Sequence, residues 1–185
     1  HILYDGAEYV PLWTLPGMAE RTIAVNSVSK TFSVTGWRIG FILASAALTA
    51  SIRKVHDFLT VGAAAPLQEA CAEAFAFPES YYKELGDFYR QRRDYMLNAL
   101  EEVGFRCVRP GGAYYIMAEI APFGWDDDVA FAFHLASEIG VAVVPGSSFY
   151  RAGHPDSHKY VRFCFCKEMA TLEAAVANLQ KLKRK

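Results

Sequence analysis

Between Ile39 and Ala44 the chain runs without a charged or hydrogen-bonding side chain. A strand with one wet face alternates apolar and polar residues, so an unbroken apolar run of this length fits a strand covered on both faces, as in a parallel sheet flanked by helices. A partner strand is expected between Arg21 and Ser27, where Thr22, Ile23 and Val25 are β-branched. The segment joining the two is rich in Ser, Thr and Gly. It reads as a loop at a strand end, where α/β folds usually place ligands. Tyr4-Asp5-Gly6 and Leu15-Pro16-Gly17 are turn signals ahead of the first strand.

Leu48, Ile52, Val55 and Leu59 then recur at helical spacing, and a second helix is expected from Pro66 through Phe75. Pro78 begins a longer helix anchored by Tyr82, Leu85, Tyr89, Tyr95, Leu100 and Val103 and closed by Gly104 in the usual cap position. Its length suits a bridge between two domains, with the boundary inside it near residue 90. Beyond it, strands are expected at Phe105 to Val108 and Ala113 to Ile120, separated by the Pro110-Gly111-Gly112 turn. Asp126, Asp127 and Asp128 read as capping charge for a helix that stops at Gly140. Strands at Val141 to Val144 and Tyr160 to Cys166 and a last helix from about Thr171 to Lys183 complete an α+β unit. The expected fold is α/β, with strands and covering helices over residues 1–90 and a small α+β domain over residues 91–185.

Composition narrows the partners. With 185 residues, 52% of them apolar, the chain can bury a substantial core. A net charge of −1 from 19 basic and 20 acidic residues leaves no broad basic face, so no nucleic-acid partner is expected. Lys181, Lys183, Arg184 and Lys185 are expected to be a solvated helix end suited to the negative pole of the last helix. The longest apolar stretches, such as Phe41 to Ala50, are broken by Ser45 and Thr49 and end at Arg53 and Lys54, too short for a membrane span. Cys71, Cys107, Cys164 and Cys166 form neither a CxxC pair nor a His-Cys cluster, and are expected as buried, reduced thiols of a cytoplasmic protein. His154 and His158 stand among Gly153, Pro155 and Asp156, which disfavours a helical metal pair, and no metal site is expected. His1 opens the chain without an initiator methionine or a leader-like segment, so a piece of something longer is expected.

The stretch richest in chemistry runs from Ser27 to Gly40: Ser27-Val28-Ser29-Lys30-Thr31-Phe32-Ser33-Val34-Thr35-Gly36-Trp37-Arg38-Ile39-Gly40. Hydroxyls and loop amides can donate to phosphate oxygens, an arginine fork can bind them bidentately, and glycines let the backbone come close. A lysine amine can condense with an aldehyde. Taken singly, these residues would suit a solvated turn. Together, Ser27, Lys30, Phe32, Gly36, Arg38 and Gly40 resemble the signature of the class I/II aminotransferases, members of the pyridoxal 5'-phosphate (PLP) enzymes of fold type I. The resemblance implies that Lys30 holds PLP as a Schiff base and that Ser27 and Arg38 hold the cofactor phosphate. A rival reading takes Ser27-x-x-Lys30 as the motif of serine β-lactamases and penicillin-binding proteins. The chain offers neither Ser-Asp-Asn nor Lys-Thr-Gly to support it.

Along Tyr160 to Phe165 strand alternation puts Arg162 and Cys164 on one face and Val161, Phe163 and Phe165 on the other. An arginine so placed can simply carry its head into water. The family, however, has an arginine on a carboxy-terminal strand that clamps the substrate α-carboxylate, and the resemblance assigns that role to Arg162. Val144 to Phe149 and Gly111 to Tyr115 also resemble family segments near the pocket mouth. The implied activity is transamination between an amino acid and a 2-oxo acid, by a homodimer. The chain resembles the carboxy-terminal half of such an enzyme, in the large cofactor domain and the small domain after it. The ring-nitrogen aspartate and the glycine-rich cofactor loop would lie in a missing amino-terminal part, so the isolated chain is expected to be inactive. A lyase of the same fold and a non-catalytic ligand-sensing domain remain open alternatives, and the donor amino acid is left open as well.

Overall fold

The computed structural model describes residues 1–182; Lys183, Arg184 and Lys185, expected in a helix end, lie outside the described residues. The chain divides into two compact units, one of His1 with Glu8–Leu85 and one of Ile2–Ala7 with Gly86–Lys185.

In the first unit β1 (Ala24–Ser27) and β2 (Gly40–Leu43) form a two-stranded sheet. They pair antiparallel, with Ala24 opposite Leu43 and Ser27 opposite Gly40. The parallel, doubly covered strand expected from the apolar run is thus corrected for this pair. A parallel return usually crosses over through a helix, and the connection here, residues 28–39, holds only a 3-10 turn at Thr35–Trp37. β2 is also largely exposed among the described residues. Helices α1 (Ala46–Leu59) and α2 (Ala65–Phe75) lie where periodicity puts them, and α2 has proline in its first turn. A small core of Val28, Ile39 and Cys71 gathers Phe32, Val34, Phe41 and Leu67.

Helix α3 (Glu79–Val103) ends at Gly104, whose φ of 119° explains the glycine there. Its residues in the second unit bury Tyr89, Met96, Leu97 and Leu100. The sheet of that unit has the order β3-β4-β6-β5 and is antiparallel throughout. Its strands are β3 (Arg106–Val108), β4 (Tyr115–Glu119), β5 (Val144–Pro145) and β6 (Tyr160–Cys164). The expected strand at Val141 to Val144 shrinks to a two-residue edge at Val144–Pro145, and Pro145, without an amide hydrogen, suits such an edge. Strand β4 starts later than expected, after Ala113 turns with φ of 59°.

Ile116 and Ala118 of β4 face Phe163 and Val161 of β6, and all are buried. The rings of Phe105, Phe123, Phe131 and Phe163 fill the space behind them. Each fully buried side chain of this size contributes about 1.5–3 kcal/mol. Helix α4 (Asp128–His134) runs into one π turn (Leu135–Ile139) that closes at Gly140, and α5 (Met169–Leu179) follows β6.

Arg93 of α3 is wholly buried and bridges Asp5 at 2.7 Å and Asp94 at 2.8 Å, which explains why Ile2–Ala7 pack with this unit. All four cysteines are thiols outside any disulfide, but only Cys71 is buried. Strand alternation leaves Cys164 on the open face, with its sulfur 3.1 Å from that of Cys166, so the expectation of four buried thiols is corrected. Among the described residues no helix is long and apolar enough to cross a membrane.

The β1–β2 register depends on Gly40. A Cβ there would stand 2.5 Å from the Asn26 carbonyl oxygen, a backbone atom that cannot move aside. Gly40→Ala is therefore expected to cost about 1–3 kcal/mol in urea denaturation. Gly36→Ala, where a Cβ meets nothing within 4 Å, should stay within about 0.5 kcal/mol of the parent.

Candidate functional site

The lysine loop is closed at its base by backbone. Ser27 stands opposite Gly40, and the Val28 amide donates to the Ile39 carbonyl at 3.3 Å. Val28 and Ile39 turn inward to the core, so Ser27 and Arg38, each next in sequence to one of them, are left at the surface. Inside the loop the Ser27 hydroxyl donates to the Ser29 hydroxyl at 2.8 Å and accepts the Ser29 amide at 3.1 Å. The Thr35 hydroxyl donates to the Ser29 carbonyl at 3.3 Å. Just past Lys30, the Thr31 carbonyl accepts the Tyr81 hydroxyl at 2.7 Å, and Phe32 stacks on the Tyr81 ring. The backbone on the far side of Lys30 is thereby held by α3. Lys30 itself is exposed.

Arg38 adopts φ of 58°, a left-handed conformation that non-glycine residues seldom take. An outlier of this kind persists only where its surroundings demand it, and it is commoner at functional sites. Its Nη1 donates to the Thr35 carbonyl at 3.2 Å, and among the described residues it pairs with no carboxylate. Arg38 also lines a cleft of about 730 Å³ with Asn26, Trp37, Gly40 and Arg53; Ser27 and Lys30 are not among the residues lining it. The donor set suits a phosphate ester. Coupled hydroxyls and a guanidinium without an acidic partner supply hydrogen bonds and positive charge to an anion. The residues present therefore fit the phosphate end of PLP.

Arg162 lies in the second unit, on the β4 and β5 register opposite Met117 and Val144. Its guanidinium carbon is 4.0 Å from the Tyr115 ring centre and 4.1 Å from that of Phe149. Its Nε is buried and has no hydrogen-bond partner, and among the described residues no carboxylate forms an ion pair with it. A cation held by two rings with its donors unspent is prepared for an external anion.

Asp128, whose side chain is 0% exposed, is bonded to the turn that carries Phe149. The helix cap belongs to Asp127, which accepts the Val129 and Ala130 amides. Asp128 instead accepts the Ser147 amide at 2.7 Å and the His158 Nδ1 at 2.6 Å. Its reading as capping charge is thus corrected, since its carboxylate turns inward to a loop nineteen residues on. Asp127, Asp128 and His158 bring their ligand atoms within 4.8 Å of one another, while Asp127 Oδ1 and both Asp128 oxygens already accept hydrogen bonds. His154 is elsewhere occupied, accepting the Asp156 amide on its own Nδ1.

The structure thus brings Ser27 and Arg38 to the same end of one sheet and gives Arg162 aromatic flanks in the other unit. Sequence reasoning passed over Ser29 as an individual residue, the flanking role of Tyr115 and Phe149, and the buried tether at Asp128. The available signals were faint: a second serine one position before Lys30, and aromatic residues within segments already noted as resembling the pocket mouth.

The family model for aminotransferase class I and II matches residues 2–179. The chain is 37% identical to the methionine aminotransferase of Escherichia coli K12, over 98% of this chain and 47% of that protein. It is 36% identical to a kynurenine–oxoglutarate transaminase of Dictyostelium discoideum, over 98% of this chain and 46% of that one. Among solved structures it matches N-succinyldiaminopimelate aminotransferase from Mycobacterium tuberculosis with a TM-score of 0.94 at 36% identity, covering 98% of this chain and 47% of that chain. The chain spans about half the length of the relatives it matches.

Burial pushes the Asp128 carboxyl up, but the Ser147 and His158 hydrogen bonds outweigh it and hold its pKa below the ordinary value of 3.8. Its contribution to stability is therefore complete above that ordinary value and is lost as pH falls through the lower folded one. Asp128→Asn is expected to show a shallower loss of stability than the parent below about pH 4, read from denaturant midpoints across an acid series.

Proposed function

The chain belongs to the aminotransferase class I and II family, and on that premise we propose that it is the carboxy-terminal part of an enzyme that moves an amino group between an amino acid and a 2-oxo acid. Enzymes of this family depend on PLP. The observation that carries the reading is the loop from Ser27 to Arg38, closed by the β1–β2 register and furnished with coupled hydroxyls and a guanidinium that has no acidic partner among the described residues. Residues 1–90 are read as the end of a large cofactor-binding domain and residues 91–185 as the small domain. The order of the motifs, lysine loop first and Arg162 near the end, supports the carboxy-terminal placement.

Ser27 and Arg38 would hold the cofactor phosphate, and Lys30 would hold its aldehyde carbon covalently. When bound, PLP supplies an electron sink for the bond broken at the amino-acid α-carbon. Lys30 Nζ, once neutral and released, accepts the α-proton, which a lysine can do only in its uncharged form. In the second unit Arg162 receives the carboxylate of the amino acid or 2-oxo acid, for which its planar fork is matched and a lysine is not. The relatives' names span methionine, kynurenine with oxoglutarate, and N-succinyldiaminopimelate, so the reading is kept at the level of amino acid and 2-oxo acid.

A cytoplasmic homodimer completed by an amino-terminal portion of the same enzyme is part of this proposal. Large apolar groups left in water on the first unit support further protein covering it, among them Val25 at 74%, Phe58 at 94% and Val61 at 82% exposure. The chain alone would lack the partner of the cofactor's ring nitrogen. Purified residues 1–185 are accordingly expected to give no keto-acid formation above background with a panel of amino acids, and robust turnover would contradict the placement. In the complete protein, borohydride reduction is expected to leave a PLP-sized mass adduct on the peptide bearing Lys30. Lys30→Ala should lose that adduct and transaminase activity together; a variant keeping both would refute the assignment.

A further inference from the structure

Among the described residues no acidic side chain holds the Arg162 guanidinium; two rings do, so whatever fixes those rings also aims the arginine. Tyr115 is fixed by its place in β4, paired with Cys164 of β6. Phe149 stands outside the sheet, at the end of the Gly146–Phe149 turn that follows β5. That turn is anchored at its start by backbone: Pro145 pairs with Val161, and Gly146 lies so close to β6 that a Cβ would stand 2.5 Å from the Tyr160 carbonyl oxygen.

The next residue is anchored by a side chain. The Ser147 amide donates to Oδ2 of Asp128 at 2.7 Å, while Oδ1 of the same carboxylate accepts His158 Nδ1 at 2.6 Å. A wholly buried carboxylate is tolerated only when its oxygens are satisfied, and a charged acceptor holds an amide more firmly than a neutral one. Asp127 already caps α4, so the helix end does not account for Asp128. What the second carboxylate does is tie the start of α4 to the turn that presents Phe149.

We propose that Asp128 is a positioning residue for carboxylate binding: by anchoring the Ser147 amide it keeps the Phe149 ring against the Arg162 guanidinium, so that the fork is held flat and aimed before the ligand arrives. The gain is preorganisation, since an arginine already clamped loses less freedom on binding. This rests on the reading of Arg162 as the carboxylate ligand.

The test is calorimetric titration of the complete, cofactor-loaded protein with 3-phenylpropionate, a carboxylate that has no amino group and cannot react. Arg162→Met should abolish binding. Phe149→Leu and Asp128→Ala should each weaken it about fivefold, and the double variant should be within about twofold of either single one, because both act through the same ring. Phe149→Tyr, which keeps the ring, and Asp128→Asn, whose amide oxygen still accepts the Ser147 amide, should stay within about twofold of the parent. Effects that multiply in the double variant overturn the proposal, as does a folded Asp128→Ala that binds like the parent or an Asp128→Asn as weak as Phe149→Leu. If Asp128→Ala does not fold, Asp128→Asn near the parent beside a weakened Phe149→Leu supports the tether, and Phe149→Leu at parental affinity overturns it. Binding that is absent in the parent or undiminished in Arg162→Met removes the reading of Arg162 itself. Binding lost in Arg162→Met but kept in the Asp128 and Phe149 variants removes only the positioning role.

Discussion

The contact on which the first unit's chemistry depends is made by backbone: Gly40 lies against Asn26 so closely that no Cβ fits between them. That approach sets the β1–β2 register, and the register puts Ser27 opposite Gly40, two positions from Arg38. A slip by one residue would send every side chain of one strand to the other face. The serine and the arginine would then leave the same end of the sheet. The inward pair Val28 and Ile39 holds the arrangement from below, and the Ser27–Ser29 hydroxyl pair stiffens it from within.

Two arginines of the second unit show why burial and pairing must be weighed together. Arg93 is fully enclosed, yet Asp5 and Asp94 balance its charge and Tyr4 covers its face. Its donors are spent on the protein, and its work is to hold the Ile2–Ala7 segment in place. Arg162 keeps aromatic faces but has no carboxylate among the described residues, and its inner nitrogen is unpaired. A charge left in that condition is a cost to the fold unless something binds it. That contrast separates an arginine whose donors are spent on the fold from one whose inner nitrogen is left open.

The same economy appears in the three consecutive acids before α4. Asp127 caps the helix, while Asp128, one residue later, turns inward to a distant amide and imidazole. Identical side chains in adjacent positions thus do unlike things, because the helix start points one carboxylate along the axis and the next toward the sheet.

Local pattern was enough for much of this molecule. Helical spacing located α1, α2 and α3, glycines marked where α3 and the π turn stop, and alternation along β6 put Arg162 opposite Val161 and Phe163. Each of these follows from forces acting within a turn or a strand, so neighbouring residues carry the information. Strand direction did not follow from that pattern: the apolar run of β2 suggested a parallel partner, and a connection without a crossover helix returned it antiparallel. Nor did the flanks of Arg162, which come from Tyr115 and Phe149, or the tether through Asp128, Ser147 and His158. Those partners are separated by 19 and 30 residues along the chain in the case of Asp128. They meet only because a sheet register and a packed helix carry them together, and that is a property of the folded chain as a whole.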